Sequence, residues 1–368
     1  MNPEQVSRTP SLQTPSRPRS ALLALIATLA LCGCAVGPRA ISVEHANYND
    51  VLVRTSDEQL LRNLVRLRYR DRPLFLEVSS ITSQIVVGGS GGTAVNPLAD
   101  GPEESFGLKG SVSYKEQPVI TYQPLSGSDF MTRFMLPVRL ETLVQLSQSG
   151  WSIERILRIC AQSMNGLPNA PTAAGPTPST APKFERFAEA ATLFRKLQSE
   201  GVLSAGFGRE GEALIPMLHI NAADTRTDSK LKNVVGAGGP YIRLVPGLSS
   251  GGPQTLSVQT RSLNGMLHYL SHGVDIPPIH HNQGLVTQTA GSDGEFDWQR
   301  LTQGLLSVQS GTTRPVAAAV SIRYRDHWFW IADNDLDSKS TFSFLAQLLS
   351  LQSEAGDAPE PMLTIPLR

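Results

Sequence analysis

The sequence predicts a mixed α+β protein: helices packed on small, mainly antiparallel sheets, in two lobes. Three observations carry that prediction. Apolar residues recur at helical spacing in several segments, as in Ile153, Ile156, Leu157, Cys160 and Met164. Other segments alternate with period two, as in Val320, Ile322 and Tyr324 against Ser321, Arg323 and Arg325. The alternating segments follow one another across short turns, the pattern of hairpins and meanders.

The chain opens with residues 1–20, rich in Pro, Ser, Thr and Arg and too polar to build a core. Arg8, Arg17 and Arg19 make this lead-in basic, and residues 21–31 are an uncharged run of Ala, Leu and Ile with one Thr. That run is about half the length a membrane-spanning helix needs, so it reads as a secretory signal peptide. It ends in Leu31-Cys32-Gly33-Cys34, an apolar residue and two small residues before a cysteine. This resembles the lipobox of bacterial lipoproteins. The resemblance implies a signal peptide over 1–33, cleavage before Cys34 and a diacylglycerol thioether on its sulfur. A lipid contributes roughly 0.8 kcal/mol per buried CH₂, enough for several chains to hold a protein on a bilayer. Position 35 is Ala, not Asp; in a Gram-negative lipoprotein that implies the outer membrane, facing the periplasm. The alternatives are an ordinary signal peptide or a retained apolar helix.

Past Cys34, residues 34–50 read as a short tether and 51–166 as a first lobe. Thr55 and Glu58 fit a capping box. Leu60, Leu61, Leu64 and Val65 then share one helical face while Arg62, Arg66 and Arg70 share the other, a solvated face or a contact for anionic lipid. Asp71-Arg72-Pro73 stops the helix. Leu74, Leu76 and Val78 alternate with one parity and Ile81, Ile85 and Val87 with the other, predicting a bulge or bend at Ser79-Ser80. With a Gly-rich loop over 88–104, and further alternation over Phe106–Tyr114 and Pro118–Tyr122, this region predicts a three-stranded meander. Helices are expected over 128–136, 138–149 and 153–164, the last with Ser152 as N-cap and Asn165-Gly166 as its stop.

Residues 167–182 are rich in Pro, Ala and Thr, a linker or a long exposed loop. The second lobe, 183–368, begins with a helix at 183–199 carrying Phe184, Phe187, Ala191 and Phe194. Strands at 202–207, 212–220, 241–246 and 254–260 and helices at 263–272 and 297–308 follow. The clearest hairpin joins 316–324 to 328–332, Asp337 or Ser338 would cap a helix over 339–352, and 362–367 form a last strand. Residues 48–79, around Asp57-Glu58-Gln59-Leu60-Leu61-Arg62-Asn63, and 328–352, beginning Trp-Phe-Trp-Ile-Ala-Asp-Asn-Asp, resemble an uncharacterised group of bacterial envelope lipoproteins. That resemblance implies topology and location and assigns no catalytic residue.

Composition narrows the partners. Apolar residues make up 40%, compatible with a core, and formal charge is zero. Without the leader 29 basic residues face 31 acidic ones, no basic excess for nucleic acid. Of three cysteines only Cys34 and Cys160 survive processing, so with Cys34 acylated no disulfide forms within the chain. Cys160 lies on an apolar stripe and reads as core.

No motif sets a chemistry. Gly247-Leu248-Ser249-Ser250-Gly251 matches a nucleophile elbow, with Asp275 and His280 downstream in triad order, but the helix the elbow needs is not predicted; a hairpin turn explains the glycines better. His268, His272, His280 and His281 fall within fourteen residues and offer metal ligands, though without the Glu of a zincin motif. The two helical histidines lie opposite the apolar face, which favours a solvated pair. Asp333-Asn334-Asp335 resembles the start of a calcium loop, but Ser338 and Phe344 stand where Gly and Glu are required. Ser229-Lys230-Leu231-Lys232 lacks the companion motifs of penicillin-recognising enzymes. The expectation is a lipid-anchored, non-catalytic binding or assembly protein with no cofactor, its partners the membrane and another envelope protein. The alternatives are an envelope hydrolase using Ser249 or the histidines, and a ligand carrier with a deep apolar pocket.

Overall fold

The computed structural model describes residues 36–94, 107–124, 128–221, 225–248 and 252–353. Cys34, Ser249 and the expected strand at 362–367 lie outside them. The chain divides into two units between Ser56 and Asp57. Helix α1, Val36–Arg68, runs through that division. The expected tether is therefore helical from Val36, and the helix does not begin at Thr55. Thr55 sits mid-helix and donates to the Val51 carbonyl at 2.8 Å, a bond open to it only because a turn precedes it.

Within the second unit, the end of α1 is fastened to the chain that follows by two amides. Asn63 donates to the Leu74 carbonyl and accepts from the Leu74 N–H, at 2.7 and 2.9 Å. Gln59 does the same to Leu76, at 2.9 and 2.8 Å. Four helical residues advance about 6 Å and two strand residues about 6.6 Å, so side chains four apart on the helix match backbone groups two apart on the strand. Strand β1, Leu76–Ala94, pairs antiparallel with β2, Gly107–Pro124. The register shifts between Val78 and Ser80, the predicted bulge. The expected meander is a two-stranded hairpin: 88–94 continue β1, and 107–124 form one strand.

Helices α2, Ser128–Met135, α3, Leu140–Gln148, and α4, Ile153–Cys160, come next. Ser152 caps α4, accepting from the Arg155 N–H. The helix stops at Cys160 rather than 164, and Ala161–Met164 is strand β3. Asn165 and Gly166, with φ of 43° and 78°, form the tight turn to β4, Leu167–Pro168. After helix α5, Glu185–Ser199, come strands β5, Leu203–Glu210, and β6, Ala213–Ile220, helix α6, Thr225–Val235, and strands β7, Tyr241–Pro246, and β8, Thr255–Thr260.

These strands form one mixed sheet in the order β4-β3-β8-β7-β6-β5, antiparallel except for the parallel pair β7 and β8. Strands from either side of 167–182 share this sheet, so that segment is not a linker between separately folded bodies. Its small residues let it pack: Asn169, Ala170, Ala173 and Thr177 are buried. Helix α3 covers β5 and β6, and α4 lies against α5. Leu143, Ile156, Leu218 and Leu256 meet between helices and sheet.

Helix α7, Leu263–Ser271, and one-turn helix α8, Pro278–Asn282, lead to the short strands β9, Ala290–Gly291, and β10, Gly294–Glu295. Helix α9, Gln299–Thr302, is shorter than expected. Strand β11, Gln309–Gly311, then flanks the predicted hairpin of β12, Ala318–Tyr324, and β13, His327–Ala332, in a sheet of order β11-β13-β12. Helix α10, Leu336–Ser353, starts earlier than expected; Asp335, not Asp337 or Ser338, accepts from the Ser338 N–H. No helix among the described residues is long and apolar enough to cross a membrane.

Candidate functional site

The end of α1, the end of α7 and the chain around β10 enclose a pocket of about 310 Å³. Arg68, the last residue of α1, forms one wall and is 4% exposed. Its Nη1 donates to Thr177 Oγ1 at 3.0 Å, while its Nε has no protein partner. Burial pulls its pKa down to about 10, against the through-space pull of Glu295 and Tyr69, so it stays charged at neutral pH.

His272, which caps the end of α7, forms a second wall and is 2% exposed. One face stacks on Trp298, 3.8 Å between centroids with the rings 10° from parallel. Trp298 is itself held by a hydrogen bond from its Nε1 to Thr289 Oγ1. Neither ring nitrogen of His272 has a hydrogen-bond partner in the protein. Burial, then the charge of Arg68, hold its pKa well below the usual histidine range; the Ala173 backbone opposes this but lacks hydrogen-bond geometry. His272 is thus neutral at pH 7, with one N–H to donate and one lone pair to offer. His281 also lines the pocket, its Nδ1 3.8 Å from Glu295 Oε1. Asp275, Glu295 and Asp297 stand exposed around it. The pocket is therefore walled by buried bases whose unpartnered nitrogens are closed off from its space, and rimmed by solvated acids.

A second cluster begins one residue beyond Arg68. The Tyr69 hydroxyl and His280 Nδ1 are 2.6 Å apart. Burial raises the Tyr69 pKa; burial and the charges of His327 and Arg325 lower that of His280. Tyr69 therefore stays protonated and donates to a neutral imidazole. His280 packs edge-on against His327, 4.6 Å between centroids. Arg325 pairs with Asp71 at 2.8 Å, and Tyr324 donates to the same carboxylate oxygen. Burial alone would raise the Asp71 carboxyl, but the bonds from Arg325 and Tyr324 outweigh it and hold the pKa low. The cluster clasps the β12–β13 hairpin to the end of α1.

The histidines expected as a metal set are dispersed. His272 stacks on Trp298, His280 bonds Tyr69, His281 faces Glu295, and His268 stays half-buried on α7. Among the described residues no group of three or more His, Cys, Asp or Glu is placed to hold a metal. The expected solvation of His272 fails because Trp298 covers it. His280 spends its Nδ1 on Tyr69. Residues 252–254 pass into β8 without a helix, and β8 runs parallel to β7, so the glycines after β7 serve neither an elbow nor a hairpin. The three arginines do not form one open face: Arg62 donates to the Arg323 carbonyl at 3.4 Å, Arg70 lies beyond the helix and donates to the Thr177 carbonyl at 2.9 Å, and Arg66 acts on Asp71. Cys160 is buried, its thiol pushed up to about 12 by desolvation.

Arg68, Trp298 and Glu295 were not singled out by the sequence. Arg68 falls two residues beyond Arg66, more than half a helical turn round, in phase with Leu61 and Leu64 on the apolar face; that was the available signal. No protein-family model matches the chain, and comparison with curated proteins and with solved structures finds no similar one.

Proposed function

We propose that this chain is a lipid-anchored envelope lipoprotein with a non-catalytic binding or assembly role. The observation that carries the proposal is the basic lead-in, short apolar run and Leu31-Cys32-Gly33-Cys34 of the N-terminal segment. The anchor is a diacylglycerol on Cys34, and with Ala35 following it the anchor lies in the outer membrane, facing the periplasm, in a Gram-negative cell. The non-catalytic role is supported by the histidine geometry. His272 faces Trp298, which carries no nucleophile, and His280 faces Tyr69, whose hydroxyl burial makes a weaker acid. A carrier for an apolar ligand draws no support from the apolar pocket beneath α3, which at about 40 Å³ has room for little more than one water.

The test is metabolic labelling with an alkyne fatty acid, with mass spectrometry of the mature N-terminus. Wild type should carry the label and begin at Cys34; Cys34→Ala should lose the label. A mature chain that begins elsewhere without lipid would overturn the proposal. Crosslinked capture from native membranes, with Cys34→Ala as control, then identifies the envelope partner.

A further inference from the structure

We infer that the outer face of the β11-β13-β12 sheet binds a glycan carrying acidic groups, a sugar ring lying on Trp330 and the acidic groups meeting Arg314 and Arg323. The inference does not rest on the lipid anchor.

Strand β13 alternates strictly. Phe329 and Ile331 are buried on one side of the sheet, while Trp328 and Trp330 turn to the other and are only half-buried. The ladder sets Trp330 between Gln309 and Ser321, and Trp328 between Gly311 and Arg323. Residues directly opposite one another share a face, so these two rows lie side by side on the outer surface. Trp330 leans along the sheet. Its six-membered ring reaches diagonally over Gly311, where a Cβ would stand 3.2 and 3.3 Å from two of its carbons. Glycine thus lets the indole rest on the backbone of β11 and leaves its other face outward. Beside it, the exposed Arg314 holds its guanidinium 5.4 Å from the centroid of Trp328.

The face offers donors and no acid. Trp151 and Trp298 spend their indole N–H within the protein, on Gln347 and Thr289. Trp328 and Trp330 do not: among the described residues neither Nε1 has an acceptor, and neither is closed off from solvent. Arg314 has no carboxylate partner among the described residues. Arg323 has a surface pair with Asp326 in the turn, which a ligand can exchange at little cost. A sugar matches this arrangement. The C–H bonds on the face of its ring suit the electron-rich face of an indole, its hydroxyls accept from indole N–H groups, and acidic substituents form charge-assisted bonds with guanidinium. Nucleic acid is disfavoured, since its binding rests on neutralising a run of phosphates and the chain carries 32 bases against 32 acids. A bilayer is disfavoured, since the tryptophans are flanked by Gln309, Ser321 and Arg323 rather than by apolar side chains that would insert.

The test uses the full-length chain in nonionic detergent at pH 7.5. A galacturonate hexasaccharide is titrated beside its uncharged methyl ester, oligothymidylate, and phosphatidylglycerol in mixed micelles. The acidic saccharide should bind about tenfold more tightly than its ester, the worth of a charge-assisted bond, and should shield tryptophan fluorescence from acrylamide. Arg314→Gln, at an exposed position that does not threaten folding, should weaken the acidic saccharide about fivefold and leave the ester unchanged. Trp330→Ala should weaken both saccharides about tenfold, with melting temperature as the check on folding. If that variant does not fold, the acrylamide shielding of wild type and the Arg314→Gln titration decide. The inference fails if the acidic saccharide does not bind below about 1 mM or binds no more tightly than its ester. It fails equally if binding leaves the tryptophans unshielded, or if a folded Trp330→Ala or Arg314→Gln keeps wild-type affinity. Tighter binding of oligothymidylate or phosphatidylglycerol, lost in the same variants, would assign the face to nucleic acid or to lipid and overturn it.

Discussion

Arg261 is 1% exposed and lies against the junction between α4 and β3. Its Nη1 donates to the carbonyls of Arg158, Ile159 and Ala161 at 3.0, 2.9 and 2.7 Å, and its Nη2 donates to the Asn169 carbonyl. Its guanidinium also rests 4.1 Å from the centroid of Tyr269. A helix C-terminus leaves carbonyls without partners, and here one side chain gathers them. Removing it does not strand all four, because Asn169 Nδ2 also reaches the carbonyls of Arg158 and Ala161, at 2.9 and 2.8 Å. Ile159 and Asn169 lose their side-chain donor. At about 1–3 kcal/mol per orphaned buried group, and about 2 kcal/mol for a desolvated cation–π contact, the gross loss is roughly 4–8 kcal/mol. Relief from burying a charge offsets some of it. Arg261→Ala should therefore cost about 3–5 kcal/mol in urea unfolding followed by Trp fluorescence, with a melting temperature lower by roughly 6–15 °C. Arg261→Met decides between the two opposing effects, since it fills the space without donors. If satisfying the carbonyls dominates, Met also loses about 2 kcal/mol or more. A Met variant as stable as wild type would show that the buried charge costs as much as its hydrogen bonds return, and the reasoning would be refuted.

Acid should destabilise the fold through His272. Its pKa in the folded chain lies well below 6.5, so the unfolded chain takes up a proton first as pH falls. The stability it contributes is complete above about pH 6.5 and is lost at up to about 1.4 kcal/mol per pH unit below that, until the folded pKa is reached. Urea midpoints from pH 7.5 to 4.5 should fall less steeply in His272→Phe; an unchanged slope would show that His272 titrates freely in the native state. Asn63→Leu keeps the volume of a 0% exposed side chain but strands both backbone groups of Leu74. It should cost about 2–4 kcal/mol, with faster amide exchange at Leu74, and a loss below 1 kcal/mol would count against the clasp. Asp326→Gly should stabilise. Asp326 adopts a φ of 63°, and beyond a surface ion pair with Arg323 its side chain is exposed. Relief of the left-handed conformation, about 1 kcal/mol, exceeds what a surface pair returns, and the melting temperature should rise by about 2 °C.

What the sequence disclosed was local. The β12–β13 hairpin was readable because alternation and a tight turn lie within fifteen residues of one another. The bulge near Ser79 was readable because a change of parity in the apolar residues is itself the signature of an extra residue. The Ser152 cap was readable because capping spans three residues. The failures involve partners far along the chain. The stripe from Ile153 to Met164 was continued as helix four residues too far. Met164 is buried either way, because a helical step of four and the inward positions of β3 coincide there. What ends the helix at Cys160 is Asn169 and Arg261, and Arg261 lies about a hundred residues on. Residues 167–182 carry a loop composition, and small side chains are also what close packing accepts; composition alone does not separate the two. His272 was placed on a solvated face by helical phase, and the phase was right. Trp298, read as part of a separate helix 26 residues on, covers that face.

Among the described residues the chain buries two arginines without a carboxylate against either, and the fold satisfies them very differently. Burial lowers both pKa values to about 10, so charge and desolvation do not distinguish them. Their surroundings do. Arg261 spends both terminal nitrogens on carbonyls at a helix end and lies over an aromatic ring, so its charge is dispersed over groups that the fold must satisfy in any case. Arg68 spends one nitrogen on the hydroxyl of Thr177 and lines a cavity with an unpartnered imidazole beside it. A hydroxyl is a weak counterweight to a desolvated guanidinium, and a protein selected for stability alone would place a carboxylate or a methionine there. The carboxylates around this cavity stand instead at its exposed rim. Separating a buried cation from nearby acids costs stability, and at Arg68 the fold offers no counterpart to the helix-end carbonyls that Arg261 gathers.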